Sequence, residues 1–125
     1  MLSPFNEIRK FTCPEIIFGI DARKMIGKKV KKFGINKILI VTSTKIISER
    51  WFRDILLSFK TQGISFVQYT IDNRQSKDTD IEEGAIFYGK EHCKGIVAIG
   101  GGSVIDCAKA IGICSSNSKN IKQLI

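Results

Sequence analysis

Three consecutive glycines, Gly100, Gly101 and Gly102, stand between an apolar β-branched run, residues 95–99, and a segment of helical pattern that opens at Ser103. That order has the shape of an anion cradle. Without side chains, backbone N–H groups can approach a phosphate closely. The helix that follows adds its unpaired N–H groups and the positive end of its dipole. Ser103 is expected to be the N-cap, with a hydroxyl free to turn towards a phosphate oxygen. Asp106, three positions on, shares its helical face and can also look at the loop. The chemistry implied is nucleotide binding, although a tight strand-to-helix turn that binds nothing would use the same glycines.

Elements able to position such a loop alternate along the chain. Residues 11–18 look extended, with Pro14 pointing to an edge strand or hairpin arm. Asp21 sits where an N-cap belongs, before a helix over residues 22–33 that stops at Gly34 and turns Met25, Ile26, Val30 and Phe33 inwards. Residues 37–41 form a short buried strand. Thr44 is expected to cap one long amphipathic helix through Trp51, Phe52, Ile55, Leu56 and Phe59, ending at Gly63. Residues 64–71 read as a strand, and residues 72–77 as a polar loop. Thr79 or Asp80 can cap a helix over residues 81–93. Residues 95–99 form the strand that feeds the glycines, residues 104–113 the helix after them, residues 115–120 a polar loop, and residues 121–125 the start of another segment.

Strands separated by helices imply crossovers, hence an α/β fold: an open, mostly parallel sheet with helices on both faces, Rossmann-like in outline. Ligands of such sheets bind beyond the carboxyl ends of the strands. Two loops meet that condition, the glycines after Ile99 and the Thr42-Ser43-Thr44 turn, and both can reach one ligand.

Composition narrows the classes. With 125 residues, 43% hydrophobic and 26% charged, the chain is one globular domain able to bury a core. No apolar run is long enough to span a bilayer and the N-terminus lacks a signal-peptide core, so a cytoplasmic location is expected. Cys13, Cys93, Cys107 and Cys114 have no C-x-x-C spacing and read as buried or reduced thiols, without a zinc site or disulfide frame. The net charge of +8 invites a nucleic-acid reading. Its only dense run, Lys28, Lys29, Lys31 and Lys32, instead fits the wet face of a helix, and no aromatic-and-basic platform accompanies it. No nucleic-acid or membrane partner is expected.

The common nucleotide fingerprints do not fit. G-x-G-x-x-G belongs after the first strand with an acid about 20 residues on; here the glycines follow the last strand and lead to Asn120, Ile121 and Lys122. No Gly-Lys-Ser/Thr of a Walker loop is present either.

Longer stretches carry a resemblance. Phe11-x-x-Pro14-x-Ile16-x-Phe18-Gly19, the run from Lys37 to Thr42, Glu82-Glu83-Gly84 and Gly100-Gly101-Gly102-Ser103-x-x-Asp106-x-Ala108-Lys109 together resemble the N-terminal domain of the iron-containing (group III) alcohol dehydrogenases. The resemblance implies a nucleotide-binding domain over residues 1–125 of an NAD(P)-dependent, metal-dependent enzyme that interconverts an alcohol with an aldehyde or ketone. It further implies that Gly100, Gly101, Gly102 and Ser103 hold the pyrophosphate, that Asp106 lies near the nicotinamide, and that Thr42 and Ser43 face the cofactor. In that family a second, helical domain holds Fe²⁺ or Zn²⁺. Nothing here supplies such a site, and the single histidine, His92, reads as a surface residue at a helix C-terminus.

Two positions depart from the family. Many members carry Val-Thr-Asp where this chain has Val41-Thr42-Ser43, and the missing acid beside Lys45 favours NADP(H) over NAD(H). The family's Pro-Asn-Pro turn is replaced by Arg74-Gln75-Ser76. Because residues 121–125 end in an unfinished apolar segment, the chain reads as the first part of a longer protein, with no turnover expected of it alone. A homo-oligomer, a stand-alone nucleotide-binding module and an interaction module remain open.

Overall fold

A computed structural model describes residues 16–17, 25–72 and 78–117. Two kinds of sequence period build it. Strands with apolar cores, continuous in β2 and β4 and interrupted by polar residues in β3, alternate with helices that have one apolar stripe. The strands are β1 (Ile16–Ile17), β2 (Lys37–Thr42), β3 (Ser65–Thr70) and β4 (Gly95–Ala98); the helices are α1 (Ile26–Lys32), α2 (Thr44–Ile47), α3 (Arg50–Thr61), α4 (Asp78–Lys90) and α5 (Gly102–Asn117).

All pairings are parallel, in the order β1-β4-β2-β3. The two inner strands, β2 and β4, are the most apolar because both of their faces are covered. Ile38 and Ile40 of β2, with Val97 and Ile99, pack under Ile26 and Val30 of α1 and Phe52, Ile55 and Phe59 of α3. Leu39, Val41, Ile96 and Ala98 point the other way, onto Ile81 of α4 and Val104, Cys107, Ala108 and Ile111 of α5. One residue step along a strand changes the layer it serves. The expected fold class is the one observed.

Element boundaries differ in instructive ways. Asp21 and residues 22–24 lie outside the described residues; α1 opens at Ile26 and closes at Lys32. Met25 and Phe33, expected inside, are each 53% exposed. They sit in the flanking turns, off the stripe that Ile26 and Val30 form at four-residue spacing. The long helix expected after Thr44 is two helices. Because β2 runs on to Thr42, Ser43 becomes the cap, accepting the Ile46 N–H at its Oγ. The Ser48 hydroxyl then donates to the Lys45 carbonyl (2.8 Å), and Glu49 turns extended, with ψ 142°, to restart the chain as α3.

Farther along, α4 starts at Asp78, ahead of either expected cap, and closes through His92, which is exposed and takes φ 57°, a left-handed helix-terminating conformation. Only Ile16–Ile17 of the first expected strand is described, in parallel pairing with β4 and so not as a hairpin arm to it. Pro14, Cys13 and residues 73–77, which include Arg74-Gln75-Ser76, lie outside the described residues, as do residues 121–125. Cys93, Cys107 and Cys114 are buried, and none is in a disulfide. Among the described residues, no helix is long and apolar enough to cross a membrane.

Candidate functional site

The sheet brings the two loops together. Val41 lies beside Ala98 in register, so the turn after β2 and the glycines after β4 leave the sheet side by side at its carboxyl edge. Two hydrogen bonds fasten the junction. The Ile99 N–H donates to the Val41 carbonyl (2.9 Å), and the Thr42 Oγ1–H donates to the Ile99 carbonyl (2.7 Å). Thr42 is fully buried, so its hydroxyl is engaged in holding the last residue before the glycines.

The three glycines differ from one another. Gly100 has φ 153°, a conformation side chains rarely adopt, and a Cβ there would stand 3.0 Å from Val104 Cγ2; it makes the turn. At Gly101 and Gly102 an added Cβ would meet nothing within 4 Å. The space above them is open, as it must be if a phosphate is to reach the amides.

Helix α5 begins at Gly102, two residues earlier than a Ser103 cap would require. The Ile105 N–H donates to the Gly101 carbonyl (3.1 Å), which makes Gly101 the N-cap and puts Ser103, half-buried, inside the first turn. The expectation of Ser103 as N-cap is thereby corrected. Glycine serves as a cap almost as well as serine, and it leaves the early N–H groups without a side-chain acceptor of their own. Asp106 is exposed, one position past the first turn, which contains no acid. The helix dipole acts mainly within that turn, so it explains Asp106 poorly.

Ser43 is half-buried, and its Oγ accepts the Ile46 N–H at 3.4 Å, a long contact. Beside it lies Asp72, from the segment expected to be a polar loop. The exposed Asp72, just past β3, accepts the Thr44 N–H at Oδ1 (3.0 Å). Hydrogen bonds from the Thr44 side chain and backbone hold its carboxyl below the usual carboxylate range. Parallel register explains the meeting. Thr42 pairs with Thr70, and the Ile71 N–H donates to the Thr42 carbonyl (2.8 Å), which carries Asp72 to the start of α2. An acid directly after a strand was the available signal, readable only once β2 and β3 are known to be neighbours.

Other displaced titrating groups lie elsewhere. Burial pushes Cys93 up to about 11, and Cys93 precedes β4, at the opposite end of that strand from the glycines. Burial likewise raises Tyr69 to about 12; its hydroxyl donates to the Asp80 carbonyl (2.8 Å). Neither is a nucleophile at neutral pH. Among the described residues, no group of three or more His, Cys, Asp or Glu side chains could hold a metal ion.

The Thr42 clamp makes a first prediction. Thr42→Val keeps the shape but leaves the buried Ile99 carbonyl without its hydroxyl donor, at a cost of about 1–3 kcal/mol. Chemical denaturation should show that loss, and amide exchange should rise at Gly100 to Gly102 more than in α4.

Comparison with known proteins agrees with this geometry. The family model "Iron-containing alcohol dehydrogenase" matches residues 13–125. A choline dehydrogenase of Bacillus subtilis is 35% identical over 117 residues, 93% of this chain and 29% of the relative. An NAD-dependent methanol dehydrogenase of Bacillus methanolicus is 32% identical over 89% of this chain and 29% of its own length. Among solved structures, an alcohol dehydrogenase from Oenococcus oeni superposes with a TM-score of 0.77 at 31% identity, over 87% of this chain and 29% of that one. The chain thus spans less than a third of these relatives. With the family model matching residues 13–125 and the solved structure superposing at 31% identity, the chain belongs to the iron-containing alcohol dehydrogenase family.

Proposed function

We propose that this chain is the dinucleotide-binding part of an NAD(P)-dependent alcohol dehydrogenase, acting in reversible oxidation of an alcohol to an aldehyde or ketone. The observation that carries the reading is the open space over Gly101 and Gly102 at the head of α5, beside the carboxyl end of β2. The residues present fit a pyrophosphate. The Gly101 and Gly102 backbone and the early α5 amides, with the Ser103 hydroxyl, would hold its oxygens. Asp106, on the exposed side of α5, stands where the nicotinamide half would lie. Thr42 and Ser43 act through position, Thr42 by fixing the glycine loop and Ser43 by starting α2 beside it. When bound, the nicotinamide would accept or return a hydride. The relatives' names, alcohol and methanol dehydrogenases among them, support that chemistry.

A catalytic Fe²⁺ or Zn²⁺ does not fit the described residues, among which no group of three or more His, Cys, Asp or Glu side chains could hold one. This chain alone is therefore expected to bind dinucleotide without turnover. On the choice of dinucleotide, Ser43 and Lys45 favour a 2′-phosphate and the Asp72 carboxylate opposes one.

Calorimetric titration of the full-length protein with NADH and with NADPH tests the reading. One dinucleotide bound per chain is the expected result. Absence of heat with both, in a protein shown to be folded, would overturn it.

A further inference from the structure

Resting on that reading, we infer that Asp72 is a specificity-determining residue that makes the site select NAD(H) and reject NADP(H). Ser43 and Lys45 alone favour NADP(H); at the same spot the structure holds a third group, the Asp72 carboxylate.

Strand order sets the distances. A pyrophosphate over the glycines sits at the end of β4, with β2 one strand spacing away and β3 two, roughly 10 Å. A nucleoside arm leaving the pyrophosphate in that direction crosses the end of β2 at Ser43 and meets what lies between β2 and β3. What lies there is the Asp72 carboxylate, fixed on the Thr44 N–H at 3.0 Å.

A carboxylate offers about four acceptor positions. Its contacts with Thr44 leave capacity to accept hydrogen bonds from a ribose diol. A 2′-phosphate brings two negative charges and only acceptors to the same place. At about 5–6 Å, with screening typical of a protein surface, repulsion of that kind is worth roughly tenfold in affinity or more.

Lys45 is the opposing group, and geometry decides between them. It is exposed, on a four-residue helix, with a long side chain that must be ordered to bind. Asp72 is already anchored by a backbone donor and needs no ordering. The fixed charge prevails over the mobile one.

Dissociation constants of NADH and NADPH for the full-length protein and for Asp72→Asn test this. Asparagine keeps an acceptor for the Thr44 N–H and removes the charge. The wild type is expected to bind NADH at least about tenfold more tightly, and Asp72→Asn to shrink that ratio by about tenfold, mainly by strengthening NADPH. A wild type that prefers NADPH overturns the inference without any variant. So does an unchanged ratio in a folded Asp72→Asn protein that still binds both, and either result leaves the proposed function standing. Failure of the wild type to bind either dinucleotide removes the proposed function itself.

Discussion

Gly101→Asp is expected to leave the fold intact, raise its stability slightly and weaken dinucleotide binding by roughly 100-fold or more. Space is not the obstacle, because a Cβ at Gly101 meets nothing within 4 Å and its φ is not left-handed. The conflict is chemical. Gly101 is the N-cap of α5, and aspartate is among the best N-caps; its carboxylate accepts the N–H two or three residues on. Those are the amides that would otherwise hold a phosphate. The variant would carry its own anion in the cradle, bound intramolecularly and repelling any other. Melting should rise by a degree or two while NADH and NADPH titrations go flat. Unchanged NADH binding in the variant would show that no phosphate sits at this helix end. Gly100→Ala is a poorer probe, since φ 153° and the 3.0 Å approach to Val104 damage the turn whatever binds there.

The contrast between these glycines shows what the sequence could convey. Alternating apolar runs and stripes were enough for an α/β sheet, because β2 and β4 are covered on both faces and their central residues, Ile38 to Val41 and Gly95 to Ala98, form unbroken non-polar runs. The glycine loop was legible as an open strand-to-helix turn at the carboxyl edge of the sheet. Which glycine caps, which turns and which stays open was not, because Gly-Gly-Gly-Ser permits the helix to begin at either of two residues. The start at Gly102 followed from where β4 stopped. Capping at Ser43 follows the end of β2, which runs one residue past its apolar β-branched run, whereas β4 stops one residue short of its own. Asp72 was invisible for a deeper reason. It lies 28 residues from Thr44, and only the pairing of β2 with β3 makes them neighbours. Local pattern carries elements; the site depends on registers between elements, and those are properties of the sheet.

A second large effect is expected far from the glycine loop. Gly27→Ala should cost about 1–3 kcal/mol of stability, although alanine is normally the better helix residue by about 1 kcal/mol. Gly27 lies in the first turn of α1 where that helix touches α3. A Cβ there would collide with the Ser58 carbonyl oxygen and come within 2.7 Å of its Oγ. The carbonyl is part of the α3 backbone and cannot rotate away. The Gly27 N–H, one of the donors a helix start leaves unpaired, is taken by Ser58 Oγ at 2.9 Å. A methyl group would push the helices apart, stretch that bond and loosen the layer of Ile26, Val30, Phe52, Ile55 and Phe59 over β2. Gly89 is the matched control. It is also helical, in α4, but exposed with nothing within 4 Å of an added Cβ, so Gly89→Ala should gain about 0.5–1 kcal/mol. Denaturant midpoints of the two variants should therefore move in opposite directions from the wild type. Equal shifts of the same sign would mean that α1 and α3 do not pack this closely. The layer that positions the end of β2, and with it Ser43 and Thr44, would then need another explanation.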